Sequence, residues 1–146
     1  MKVIVDTNIV FSSLLNIDSN IAKILIQSND TFSFYSCHFL REEINRHKKR
    51  ILKITGYSGL EFDEAEYLIL KNIQFINHNL IDIKILLKSK LLVEDVDGND
   101  FPFVALAKHF KCRLWTGDKK LVNGLSKKGY HNCISTKELL EIISEK

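Results

Sequence analysis

Proline is almost missing from this chain, which has one among 146 residues, at position 102. Nothing resembles a proline-rich linker, a repeat or a low-complexity segment. Cysteine is sparse too. Cys37, Cys112 and Cys133 are odd in number, far apart and without CxxC spacing, which argues against a zinc or redox site of paired cysteines. They read as reduced, mostly buried side chains. No apolar run approaches the roughly 20 consecutive residues of a membrane span. The opening Met1-Lys2-Val3-Ile4-Val5 is interrupted by Asp6 before it can serve as the apolar region of a signal peptide. The expected compartment is the cytoplasm, with no membrane association. Charge of one sign is also lacking: the formal net charge of +3 does not by itself identify a polyanionic partner.

What is present is a chain with 45% hydrophobic residues, nine of them Phe. That is enough for one sizeable core and one domain over residues 1–146. Lys2 to Val5 reads as a buried strand ending in Asp6. Further strands are expected at Phe32 to Tyr35, Gln74 to Ile76, Arg113 to Thr116 and Cys133 to Ile134. Between them the spacing predicts helices from Val10, from a Ser19 or Asn20 cap, and from His38 to Ile54 behind a Ser36 cap, closed by Gly56. Others are expected from Phe62 to Asn72 with Asp63 as cap, from Asp82 to Leu91, from Pro102 to Phe110 and from Lys119 to Leu125. Ser135 and Glu138 have capping-box spacing for a last helix. Strands alternating with helices imply an α/β fold whose mainly parallel sheet of four to five strands is covered on both faces.

In such sheets ligands bind beyond the carboxyl ends of the strands, and two strands here end in aspartate, Asp6 and Asp118. In the long helix Leu40, Ile44, His47, Ile51 and Ile54 form an apolar stripe. Glu43 borders that stripe, whereas Glu42 points roughly 160° to 200° away from Leu40 and Ile44, toward solvent. A carboxylate beside a core face needs a partner, either a cation or, one turn on, His47. Asp100 stands where a helix cap would, ahead of Phe103, Val104, Ala107 and Phe110. Asp118 also fits a turn or cap role. Taken together, four carboxylates converging on one sheet edge would repel each other, and a divalent cation would relieve that repulsion. An all-oxygen cluster suits Mg²⁺ or Mn²⁺, one ion or two, better than Zn²⁺ or Cu²⁺. The chemistry this suggests is phosphodiester hydrolysis.

Four segments in order carry a resemblance to a known family: Val3-Ile4-Val5-Asp6-Thr7-Asn8, Arg41-Glu42-Glu43-Ile44, Asn99-Asp100-Phe101-Pro102-Phe103-Val104-Ala105-Leu106-Ala107, and Leu114-Trp115-Thr116-Gly117-Asp118. They resemble the acid-bearing segments of the PIN-domain family, and they span nearly the whole chain. The resemblance implies a three-layer α/β/α fold and a metal-dependent ribonuclease leaving 5′-phosphate and 3′-hydroxyl ends. It makes Asp6, Glu43, Asp100 and Asp118 the catalytic and metal-holding acids, with Asn8 and Thr116 in support and Asp97 as an accessory carboxylate. Many small bacterial members are toxins of toxin–antitoxin pairs and commonly homodimers, so a cognate antitoxin and a second copy are the implied partners besides RNA. The middle of the chain, from Ile51 to Leu92, matches only in general helical character, and Trp115 is bulkier than expected for its strand.

The basic residues suit the same reading. Arg46, Lys48, Lys49 and Arg50 on the long helix, with Lys119 and Lys120 after the last acid, are expected to hold flanking phosphates, which gives affinity without sequence information. Other readings fit less well. A haloacid-dehalogenase-like phosphatase wants a second aspartate where Asn8 stands, and a receiver domain wants one after the third strand, where Asn77-His78-Asn79 follows. A calcium loop over Asp95 to Asp100 has its glycine misplaced and Leu106 where the bidentate Glu belongs. A helical-arch DNA nuclease would need long insertions. The rival of a different class is a catalytically silent PIN-like scaffold that binds RNA or protein.

Overall fold

The computed structural model describes residues 1–96 and 100–145. Among the described residues five strands form one sheet: β1 (Lys2–Val5), β2 (Ser33–Cys37), β3 (Ile73–Ile76), β4 (Arg113–Trp115) and β5 (Cys133–Ile134). Their order is β3-β2-β1-β4-β5, and every neighbouring pair is parallel. Parallel pairing requires crossovers, and the helices supply them. Those described are α1 (Thr7–Leu15), α2 (Asn20–Gln27), α3 (His38–Thr55), α4 (Gly59–Leu70), α5 (Ile83–Val93), α6 (Phe101–Phe110), α7 (Lys119–Lys127) and α8 (Thr136–Ser144). A short 3₁₀ turn, His78–Leu80, precedes α5. No single helix among the described residues is long and apolar enough to cross a membrane.

The layers follow from strand alternation. Val3, Val5, Phe34 and Trp115 share one face, where Trp115 Nε1 donates to Thr136 Oγ1 of α8 at 3.0 Å and its ring lies 5.9 Å from Phe34. Ile4, Tyr35 and Leu114 share the other, where Tyr35 stacks at 4.9 Å on Phe110 of α6. Helix α6 covers β1, β2 and β4, with α5 packed on it, while α1 packs against α2, α3 and α4 on the opposite side. The expected α/β/α sandwich is therefore present. The bulky Trp115 is fully buried, and its one polar atom is satisfied.

Several expected boundaries move, each for a local reason. Helix α1 begins at Thr7 rather than Val10, because Asp6 itself is the cap, accepting from the Ile9 N–H at 3.0 Å. Ser36 does not cap α3; it lies inside β2, and its hydroxyl donates to the Val5 carbonyl across the sheet at 2.8 Å. Cys37 takes the cap position instead, without a side-chain hydrogen bond. Helix α4 starts earlier than Phe62, because Ser58 and Glu61 form a reciprocal capping box that displaces Asp63 from that role. At the end of α3, Gly56 adopts the left-handed conformation, φ 74°, as expected of a helix terminator. Ile54 falls outside the buried stripe and is 59% exposed. Of the three free cysteines only Cys37 is fully buried.

Candidate active site

The fold brings the strand-end acids to one edge. β1 and β4 are adjacent and parallel, with Val5 in register with Trp115, so Asp6 and the Thr116-Gly117-Asp118 segment leave the sheet side by side. Both aspartates then cap the helix that follows: Asp6 accepts from Ile9 N, and Asp118 Oδ1 from Leu121 N at 3.1 Å. Thr116, itself buried, links them. Its Oγ1 accepts from the Asp118 N–H at 3.1 Å, and its side chain hydrogen-bonds the Asp6 carboxylate.

Asp6 is 2% exposed. Burial pushes its carboxyl from 3.8 up to about 6, against the hydrogen bonds from Thr116, Ile9 and Asn8 that favour the charged form, and the neighbouring Asp118 charge adds to the rise. The same acid is felt further along the edge: the Cys133 thiol is pushed up to about 11 by burial first and by Asp6 second. That thiol is a poor nucleophile at neutral pH.

Glu43 reaches the same region from α3, which leaves β2 at the carboxyl edge. It is half-buried while Glu42 is exposed, as the helical angle predicts. Its Oε1 accepts from the hydroxyl of Thr7 at 2.9 Å. Since Thr7 is the residue after Asp6, this bond fastens α3 to the β1–α1 turn. His47 instead packs edge-on against Phe11 at 5.5 Å. Asp100 precedes α6, whose other end turns directly into β4 through Lys111 in the left-handed conformation. The amino end of α6, and Asp100 with it, therefore lies toward the edge where the strands finish. Asp100 is half-buried, and it makes no side-chain cap bond to the helix it precedes. Asp97 lies outside the described residues.

The remaining residues singled out from the sequence are dispersed. Asn8 is exposed on the first turn of α1, and Lys119 and Lys120 are exposed on the first turn of α7. On α3, Arg46 and Arg50 follow Glu43 at i+3 and i+7 and so share its side of the helix. Lys48 points away, toward α4, with its ammonium 3.9 Å from Asp63 and over the Phe62 ring. Lys49 is exposed between the two sides. Thr7 is the residue that sequence reading passed over; placing the helix start at Val10 left it in an unassigned turn.

A divalent cation fits these residues in one respect and finds no finished cage in another. The donors are carboxylate oxygens, and the Asp6–Asp118 repulsion is what a cation would relieve. Among the described residues, no three His, Cys, Asp or Glu side chains gather closely enough to form a complete ligand set. Mg²⁺ tolerates this, since one or two carboxylates plus water and substrate phosphate commonly hold it.

The chain belongs to the PIN-domain family: the family model described as PIN domain matches residues 4–141. PIN domains are in general nucleases that act on RNA or other nucleic acid, and they generally use divalent metal ions. No curated protein matches the chain.

Proposed function

We propose that this chain is a ribonuclease dependent on Mg²⁺ or Mn²⁺, hydrolysing RNA to 5′-phosphate and 3′-hydroxyl ends. The observation that carries the reading is the Asp6–Thr116–Asp118 linkage at the carboxyl edge, where a buried acid sits against a like charge. A buried acid with a raised pKa beside a second carboxylate at the carboxyl edge of a parallel sheet is the kind of perturbed group that clusters at functional sites. Asp6, Asp118 and Asp100 would hold one or two cations, with Glu43 as a further ligand or as the group orienting the attacking water. When bound, the cation supplies Lewis acidity toward a phosphoryl oxygen and makes water a better nucleophile.

The chain's own residues do the rest. Thr116 orients Asp6, Thr7 orients Glu43, and the cationic side chains Arg46, Lys49, Arg50, Lys119 and Lys120 hold flanking phosphates, with Lys48, turned toward Asp63 of α4, contributing least. Within this reading the protein is the toxin of a toxin–antitoxin pair, blocked by a partner that covers the acidic edge, and forms a homodimer. The exposed apolar side of α5, Ile83, Leu87 and Leu91, gives a protein partner or second copy something to cover.

Cleavage of a labelled structured RNA by wild type and Asp6→Asn, with Mn²⁺, Mg²⁺ or EDTA, tests the activity. Wild type should cut only with metal, and Asp6→Asn should lose on the order of 10³-fold in rate, corresponding to several kcal/mol of transition-state stabilisation. If both proteins bind RNA equally and neither cuts several substrates, the silent scaffold is the better account. Growth arrest relieved by co-expressing a neighbouring short reading frame tests the toxin role.

A further inference from the structure

Beside the acids lies a small cavity with a different chemistry. Asn8, Ile9, Ser12, Ile21, Gly117 and Asp118 line a space of about 230 Å³. Asn8 and Ser12 are four apart on α1 and present an amide and a hydroxyl from the same exposed side. Ile9 and the half-buried Ile21 of α2 supply apolar wall. Gly117 contributes no side chain, and nothing lies within 4 Å of where its Cβ would stand, so the wall is open on that side. Asp118 belongs both to this cavity and to the acid pair.

The lining decides which part of a nucleic acid would enter. No Lys or Arg lines the cavity, and one carboxylate does, so a phosphate would meet repulsion without compensation. To an uncharged planar ring the lining offers both apolar surface, from Ile9 and Ile21, and hydrogen-bonding groups, from Asn8, Ser12 and Asp118. The volume is below the roughly 300–1,000 Å³ of sites that enclose a drug-sized ligand, which suits one flat group rather than a whole nucleotide.

We propose that this cavity is a subsite for one unpaired base next to the cleaved phosphate, and that it favours bases carrying an exocyclic amino group over uracil. The proposal rests on the ribonuclease reading for its placement beside the cut. Recognition of single-stranded RNA works this way, with a base splayed from its neighbours and read along its edge. A carboxylate only accepts hydrogen bonds, so Asp118 favours an amino group and disfavours the O4 carbonyl of uracil. Asn8 adds an NH2 group with two donor hydrogens and a carbonyl acceptor, and Ser12 adds a hydroxyl of either sense.

Two measurements test this. In the first, a single-stranded RNA with a randomised segment is cut with Mn²⁺ present and the new ends are sequenced. Wild type should under-represent uracil at one position flanking the cut by about fivefold or more, corresponding to roughly 1 kcal/mol of base discrimination. Ser12→Phe and Ile21→Phe, which fill the space, should flatten that bias to within about twofold, whatever their overall rate. Ser12 is exposed, so its variant keeps the test alive should Ile21→Phe not fold. In the second, the Ile9 and Ile21 methyl resonances are followed while adenosine, cytidine or uridine is added without RNA or metal. Adenosine and cytidine should shift them in wild type and not in Ser12→Phe. Uniform base usage at both flanking positions, with methyl resonances that no nucleoside moves, overturns the subsite and leaves the nuclease intact. Methyl shifts with adenosine in a protein that cuts no RNA uphold the subsite and overturn the nuclease reading.

Discussion

The β1–α1 turn and the β4–α7 turn are built alike. Each runs from an apolar strand through an aspartate that caps the next helix, Asp6 onto Ile9 and Asp118 onto Leu121. They differ in depth. Asp6 follows the central strand of the sheet and is fully covered, whereas Asp118 sits three residues past the end of β4 and is half-buried. The same motif therefore gives two acids of different character, one carrying a desolvation cost and the other open to solvent and to the adjoining cavity. A helix cap is an ordinary structural job that any Asn or Ser could do. Keeping a carboxylate at the buried position costs the fold, and that cost is what sets the β1–α1 turn apart.

Replacing Asp6 by Asn isolates this cost, because Asn retains the cap oxygen and loses the charge. The folded carboxyl is raised to about 6 from 3.8, so between those values the folded state binds more protons than the unfolded one. Wild-type stability should accordingly fall as pH rises from about 4 through 6 and then level off. Asp6→Asn should show no such fall, being more stable than wild type by about 3 kcal/mol at pH 7 and nearly equal to it at pH 4. Chemical denaturation in EDTA at both pH values checks this. Equal stability at pH 7 would mean that the buried acid is not penalised.

Thr116 joins the two turns, so removing its hydroxyl should disturb both. Thr116→Val deletes the hydrogen bond that favours ionised Asp6 and leaves the Asp118 N–H without its acceptor. The expected loss is about 1 to 3 kcal/mol of stability. The Asp6 titration, followed by carboxyl-carbon NMR, should move to higher pH. A downward move would contradict the role assigned to this side chain.

Much of this site was legible because strand ends announce themselves. An apolar run stopped by Asp6, and another followed by Gly117-Asp118, place acids at a sheet edge whatever the details of the helices. Glu43 was separable from Glu42 because helical angle alone distinguishes a residue beside Ile44 from one facing water. The helix starts were less legible. Ser36 looks like a cap in sequence, yet across the sheet the Val5 carbonyl accepts its hydroxyl, a partner 31 residues away that no local pattern reveals. Thr7 was hidden for the same reason, its partner Glu43 being 36 residues distant. The base-sized cavity could not be read at all, since it joins α1, the start of α2 and the turn after β4.

The Thr7–Glu43 bond offers a gentler break in the β1–α1 turn. Thr7→Val keeps the shape of a buried β-branched side chain but frees Glu43 to swing. Stability should drop by about 1 kcal/mol, and on the proposed role of Glu43 the cleavage rate should fall about 10-fold or somewhat more, as happens when a group that orients a metal-holding carboxylate is lost. Thr7→Ser, which restores a hydroxyl, should recover most of the rate. Recovery by Ser without recovery by Val separates orientation from packing.

The smallest effects belong to the cations on α3, and there the helix itself makes the comparison. Arg46 shares the side of Glu43, whereas Lys48 lies 3.9 Å from Asp63 and over Phe62, where its charge is already partly answered. A lysine held that way releases few counterions on binding RNA. Arg46→Ala should weaken RNA binding and reduce the steepness of its salt dependence by nearly one unit of slope. Lys48→Ala should change that slope by a fraction of this and affect thermal stability about as much as it affects binding. Binding titrations over a range of salt, run on both variants, read the difference directly. Equal slopes for the two would place the RNA path across α4 as well as beside the acids, and would move the phosphate track away from the Glu43 side of α3.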